Sequence, residues 1–276
     1  MRDALQLARR GEGATRPNPP VGAVVVRRGL EVGAGCHRKA GGPHAEVVAL
    51  GGAAGRAKGA TLYVTLEPCS TWGRTPPCTD AIIAAGLARV VVATRDPNPR
   101  HAGRGQRLLR RAGIRVDEGL CAADARRLIA PFAKWIATRR PYVTLKLGMS
   151  LDGRIADRDG RSRWITGAAA RSMVRTLRKK VDAVLVGGRT LRLDNPRLLP
   201  TPGDRRVYRI VLDSAGRLPL DAQVLTDGHA AQTIIATTAR CPETVKRRYR
   251  AAGARVWELK AAAGRVSLPD LLREAG

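Results

Sequence analysis

One constellation constrains this chain more than any other feature: His44-Ala45-Glu46, Pro68-Cys69, and Cys78 after eight intervening residues. An imidazole and two thiols from three separate segments can share a metal ion only if the fold brings those segments to one point. A neutral imidazole and two thiolates are soft-to-borderline ligands suited to zinc, and they leave one tetrahedral position for water. Zinc in such an open site lowers the pKa of its water toward about 7. Glu46 lies two residues past His44, at the start of the same expected helix. From there its carboxylate can serve the water as a general acid–base without ligating the metal. Cys78 follows Pro77 at another expected helix start, where free amides and the helix dipole favour a thiolate. The alternative is a closed structural site with a fourth protein ligand, for which Cys36 and His37 are the nearest candidates. That reading leaves Glu46 without a purpose.

The apolar patterning around these residues alternates strand and helix. Val21–Val26, Ala60–Leu66, Val90–Ala93 and Ile114–Val116 read as strands. Leu5–Arg10, His44–Leu50, Pro77–Ala85 and Gly105–Ala112 read as helices, with Gly86 as the stop after the third. Such alternation implies a layered, largely parallel α/β domain. A helix over Ala122–Ala137 leads to Arg139-Arg140-Pro141, a natural hinge, and a second α/β run follows. Its expected strands are Tyr142–Leu147, Ala183–Val186, Ile210–Leu212, Thr233–Ala236 and Arg255–Trp257, with helices near Ala168–Lys179 and Glu243–Ala252. Two domains, 1–139 and 140–276, are therefore expected.

Composition bears on the partner. Fifty Lys and Arg against 23 Asp and Glu give a formal charge of +27, a field that attracts phosphates of every kind. It fits a nucleic-acid base deaminase, such as one acting on tRNA, and equally a phosphorylated small molecule drawn to an arginine-rich surface. The N-terminus has no apolar leader pattern, and no stretch approaches the roughly 20 apolar residues of a membrane span. Five cysteines at irregular spacing argue for metal-bound or reduced thiols, as in a cytoplasm, rather than a disulfide framework. Cys36, Cys121 and Cys241 have no partners at ligand spacing. His37, in a glycine-rich loop, fits a pocket residue and an exposed one equally well.

H-x-E with P-C matches the zinc-deaminase signature, although that signature places two residues between its cysteines rather than eight. The long insert is informative. Arg16-Pro17-Asn18-Pro19-Pro20-Val21-Gly22-Ala23, Pro43-His44-Ala45-Glu46, Leu66-Glu67-Pro68-Cys69-Ser70 and Gly73-Arg74-Thr75-Pro76-Pro77-Cys78 closely resemble the bifunctional deaminase/reductase family of riboflavin biosynthesis. Asp96-Pro97-Asn98-Pro99 and Gly103-Arg104-Gly105 extend the likeness. The resemblance implies a cytidine-deaminase-like α/β domain followed by a dihydrofolate-reductase-like α/β domain. It implies Zn2+ on His44, Cys69 and Cys78, Glu46 as the catalytic proton carrier, and Asn18 and the insert lining the pocket. Thr71-Trp72 departs from the family, which commonly has His after the serine.

Spacing alone says little about the second half, which has no G-x-G-x-x-G. The resemblance implies NADPH as its cofactor, with Gly148, Trp164, Thr190, Asp194 and Ser214 as contacts. Lys146, Ser162 and Arg178 would face the phosphorylated pyrimidine, whose ribosyl group would be reduced to ribityl. Where the family has a substrate-binding arginine this chain has Thr201. The family also continues past the position of Gly276 with a strand and a glycine-rich V-E-G-G turn. On the resemblance the reductase half is thus expected to be incomplete and impaired. The partner is a small phosphorylated pyrimidine rather than nucleic acid or membrane, with a homo-oligomer left open.

Overall fold

The computed structural model describes residues 1–162, 164–200 and 207–276. The chain divides into two compact units, Met1–Tyr142 and Val143–Gly276. Thr201 lies outside the described residues.

Unit 1 begins with α1 (Arg2–Arg9), followed by the strands β1 (Gly22–Arg27) and β2 (Leu30–Cys36). Arg28 and Gly29 join these strands with φ of 51° and 80°, the positive-φ pair of a tight hairpin turn. α2 (Ala45–Ala53), β3 (Thr61–Val64), α3 (Cys78–Ala84), β4 (Arg89–Val92), α4 (Arg104–Arg111) and β5 (Arg115–Glu118) come next. α5 (Ala122–Leu128) and α6 (Ala130–Thr138) complete the unit, with Pro131 in the first turn of α6. The expected single helix over Ala122–Ala137 is therefore two, because a proline fits a first turn but not a helix interior.

The sheet order is β2-β1-β3-β4-β5. β1 runs antiparallel to both neighbours, whereas β3, β4 and β5 are parallel. The sheet is thus mixed rather than largely parallel, and β2 is a strand that periodicity did not suggest. Its glycines conceal it. A Cβ on Gly33 would lie 2.2 Å from the Ala49 carbonyl oxygen, and one on Gly35 2.6 Å from that of Ala45. The bare backbone at these positions lets α2 rest directly on the hairpin. The core that results is built from small residues: Ala45, Ala49 and Ala53 of α2 pack with Ala23, Val25, Leu62 and Val64, all fully buried.

Unit 2 contains α7 (Ala168–Arg178), β6 (Ala183–Gly187), α8 (Gly188–Asp194), β7 (Tyr208–Leu212), α9 (Gln223–Thr226), β8 (Thr233–Thr237), α10 (Glu243–Ala251) and β9 (Arg255–Glu258). A small hairpin, β10 (Ala261–Ala262) and β11 (Arg265–Val266), precedes α11 (Leu268–Glu274). β6-β7-β8-β9 form an all-parallel sheet, with β8 buried along its whole length as a covered central strand must be. Separate apolar clusters line its faces, one around Val211, Ile235 and Tyr249, the other around Ile210, Ile234 and Ala236.

The expected strand at Tyr142–Leu147 is absent: these residues carry no strand pairing. Val143, Leu145 and Leu147 do alternate as a strand would, and are 63, 80 and 54% exposed. Alternation decides which side chains share a face, but a strand also needs a neighbour to complete its hydrogen-bond ladder, and none pairs with it here. Among the described residues no helix is long and apolar enough to cross a membrane.

Candidate active site and metal centre

In unit 1 three segments converge. His44 caps α2 in an extended conformation, Cys69 lies in the loop beyond β3, and Cys78 opens α3. Nδ1 of His44 is 3.1 Å from Sγ of Cys78 and 3.4 Å from Sγ of Cys69, and the three ligand atoms all lie within 4.8 Å of one another. Tetrahedral zinc with ordinary Zn–N and Zn–S bonds would hold its N and S ligands about 3.5 Å apart. The donor set and its spacing therefore fit zinc. Nε2 of His44 faces Oγ1 of Thr75 at 3.5 Å, so the GRTPPC insert reaches the far side of the His44 ring.

The two thiols behave unequally. Cys69 accepts from the Cys78 thiol, which with His44 and the Cys78 backbone N–H (3.3 Å) pulls Cys69 down to about 4. Cys78 is pushed up, first by that same hydrogen bond and then by burial. His44 is held above its ordinary value by its hydrogen bond to Cys69. The Cys69 thiolate offers one ready donor, and a bound metal would displace the protons that His44 and Cys78 hold.

Glu46, 3% exposed, is the second residue of α2 and lies outside the cluster of His44, Cys69 and Cys78. Burial, and after it the negative charge of Cys69, push its carboxyl up to about 7. A carboxyl that can hold or release a proton near neutrality is what proton transfer requires.

His37 is buried rather than exposed. Its Nδ1 donates to the Pro43 carbonyl at 3.0 Å, its Nε2 accepts from Nδ2 of Asn18 at 3.1 Å, and its ring meets that of His44 edge-on at 5.2 Å. Burial holds its pKa below the ordinary value. His37 and the buried Cys36 both lie outside the cluster of His44, Cys69 and Cys78, so neither is a fourth ligand there. Trp72 on the insert is exposed.

In unit 2, Thr190 and Ser214 lie beyond the carboxyl ends of the paired strands β6 and β7, where parallel sheets take ligands. Oγ of Ser214 accepts from the Val266 N–H at 3.0 Å. Ser162 donates to Asp194 at 3.2 Å, joining one residue expected at the substrate to one expected at the cofactor. Gly148 neighbours Lys146: a Cβ there would lie 3.6 Å from the ammonium. Trp164 is exposed and stacks under the Arg171 guanidinium at 4.2 Å, and Arg178 reaches the Leu199 carbonyl at 3.3 Å. Lys146, Gly148 and Trp164 thus carry no sheet pairing, whereas Thr190, in α8, and Ser214 follow the ends of β6 and β7.

Residues 1–94 match the family model of the cytidine and deoxycytidylate deaminase zinc-binding region, and residues 141–276 match that of the RibD C-terminal domain. The riboflavin biosynthesis protein RibD of Aquifex aeolicus is 52% identical over 237 residues, 85% of this chain and 67% of that protein. RibD of Bacillus amyloliquefaciens is 46% identical over 274 residues, 99% of this chain and 73% of that one. Among solved structures, RibD of Acinetobacter baumannii superposes with a TM-score of 0.83 at 41% identity, covering 99% of this chain and 74% of its own. A deaminase/reductase from Thermotoga maritima gives 0.85 at 38%, covering 99% and 76%.

Proposed function

This chain belongs to the RibD family of riboflavin biosynthesis, zinc-dependent deaminases joined to NADPH-dependent reductases, and from that premise we propose that Glu46 carries the proton in the deaminase reaction. The substrate is 2,5-diamino-6-(5-phosphoribosylamino)pyrimidin-4-one, which loses one of its two ring amino groups by hydrolysis. The family does not favour the nucleic-acid reading that the +27 charge invites.

His44, Cys69 and Cys78 would hold the zinc, which when bound supplies Lewis acidity and a nucleophilic water at neutral pH. Asn18, oriented by His37, would hold the pyrimidine. Glu46 would take a proton as water adds to the ring carbon, pass it to a ring nitrogen, and then serve the departing ammonia. The observation that carries this assignment is a buried carboxyl two residues from His44, beside the ligand cluster yet outside it. In the reductase half, Lys146, Ser162 and Arg178 would face the ribosyl phosphate, with Gly148, Trp164, Thr190, Asp194 and Ser214 at NADPH. The positions of Thr190 and Ser214 just beyond β6 and β7 and the Ser162–Asp194 bond support that reading.

Glu46→Gln is the test, with ammonia and NADPH followed separately after addition of the diaminopyrimidine phosphate. The variant should keep its zinc while ammonia release falls by about 10²–10⁴-fold, the usual worth of a positioned proton carrier. Unchanged ammonia release with zinc bound would remove Glu46 from the mechanism.

A further inference from the structure

Asp96-Pro97-Asn98-Pro99 and Gly103-Arg104-Gly105 have no part in the chemistry above, yet they converge on one buried side chain. Glu67, 5% exposed, lies two residues before the ligand Cys69. Its Oε2 accepts from the backbone N–H of Asp96 at 3.2 Å and of Gly103 at 2.8 Å. Its Oε1 accepts from Gly105 at 3.0 Å and Gln106 at 3.4 Å. The negative charge thus rests on four main-chain donors, three of them at the start of α4, where the dipole also favours an anion.

The glycines are what make this seat possible. Gly103 turns with φ of 73° to present its N–H, and a Cβ on Gly105 would lie 2.1 Å from the Pro68 carbonyl oxygen. Asp96 shapes the entry to the loop by accepting from the Asn98 N–H at 2.8 Å. The metal-side segment is held from other directions as well. The Glu67 N–H donates to the Thr94 carbonyl at 3.0 Å, and the Cys69 carbonyl accepts from the Thr79 N–H at 3.2 Å.

We propose that Glu67 is a positioning residue for the metal centre: its carboxylate clamps residues 67–69 onto the 96–106 loop and so fixes where the Cys69 sulfur sits. The proposal rests on the zinc-ligand reading above. Glu67→Gln tests it with little change of shape, because an amide offers one accepting oxygen and turns two donor hydrogens toward backbone N–H groups that need an acceptor.

The 276-residue chain and its variant would be compared by chelator-competition zinc titration and by the absorption spectrum of the cobalt-substituted protein. Zinc affinity should fall about 10–100-fold, as it does when groups supporting metal ligands are removed. The thiolate-to-cobalt charge-transfer band should shift, and kcat should fall with KM little changed. Glu67→Asp, which keeps the charge but shortens the reach, should recover part of the affinity. If Glu67→Gln does not fold, Gly103→Ala, whose added methyl meets the side chains of Arg107 and Arg95 and whose φ of 73° an alanine disfavours, should weaken zinc in the same direction. Wild-type affinity and an unshifted cobalt band in a folded variant would overturn the proposal, whatever its melting temperature. A wild-type chain that binds no zinc would instead overturn the ligand reading.

Discussion

The Pro43 carbonyl can only accept, so Nδ1 of His37 carries the proton and Nε2 is left as an acceptor. The Asn18 group facing it must then be the amide nitrogen, which leaves one orientation for that side chain. The imidazole therefore works as an orienting device, and burial keeps it in the neutral form that this arrangement needs. His37→Ala should leave zinc stoichiometry intact while KM for the diaminopyrimidine phosphate rises about tenfold, the worth of one hydrogen bond at the upper end of the neutral range. Steady-state kinetics beside a zinc assay checks it, and a loss of zinc would make His37 part of the metal seat instead. The convergence of His44, Cys69 and Cys78, with Glu46 beside them, was legible from sequence because their side-chain chemistry is scarce and each sits at a readable helix start or loop. His37 and Glu67 were not, because their meaning lies in partners 19 to 39 residues away in the chain. Nothing in a glycine-rich loop reveals that its histidine faces a distant asparagine.

An element can be hidden by the same residues that make it useful. β2 reads poorly as a strand because Gly33 and Gly35 lack the branched side chains that favour sheet. Those two positions are where α2 comes closest, and α2 carries His44 and Glu46 at its N-terminus. A methyl on Gly35 would meet the Ala45 oxygen at 2.6 Å and the Ala49 nitrogen at 2.7 Å, so the helix would have to lift. Gly35→Ala should cost about 1–3 kcal/mol, as overpacking does, and should weaken zinc because the helix takes its ligand with it. Gly51, in the same helix with nothing within 4 Å of an added Cβ, supplies the opposite sign. Gly51→Ala should stabilise by about 0.5–1 kcal/mol through the helix's own preference. Thermal melts of the pair, with zinc titrations, decide whether contact or composition governs this helix. Equal effects would mean that the close approach is not a constraint. The reverse error occurred at Tyr142–Leu147, where alternating apolar residues have the face of a strand without the neighbour that would make one. Composition and period describe a segment's own preferences, whereas pairing belongs to the rest of the fold.

At the scale of the molecule, a formal charge of +27 must be reconciled with two compact units. Several ion pairs offset it locally, among them Arg89–Asp117, Arg95–Glu118 and Arg250–Glu243, but their side chains are substantially exposed. Exposed pairs contribute about 0–1 kcal/mol each, and salt weakens them. The pair between fully buried Arg209 and Asp227, at 2.6 Å, is shielded from salt, and the guanidinium also donates to the Arg197, Val224 and His229 carbonyls. What remains exposed to the solvent ions is an excess of like charge, whose mutual repulsion opposes the compact state. Raising ionic strength from about 0.01 M to 0.15 M shortens the screening length from about 30 to about 8 Å, which damps repulsion between distant arginines before it reaches pairs in contact. The melting temperature of the zinc-loaded protein should therefore rise over that range in sodium chloride. It should rise in the same way with another monovalent salt, since screening depends on ionic strength and not on the identity of the ion. A melting temperature that falls with salt would mean that the surface pairs outweigh the repulsion. A rise confined to phosphate or sulfate would mean specific anion binding instead. Screening and site occupancy thus separate by ion type in a single series of melts.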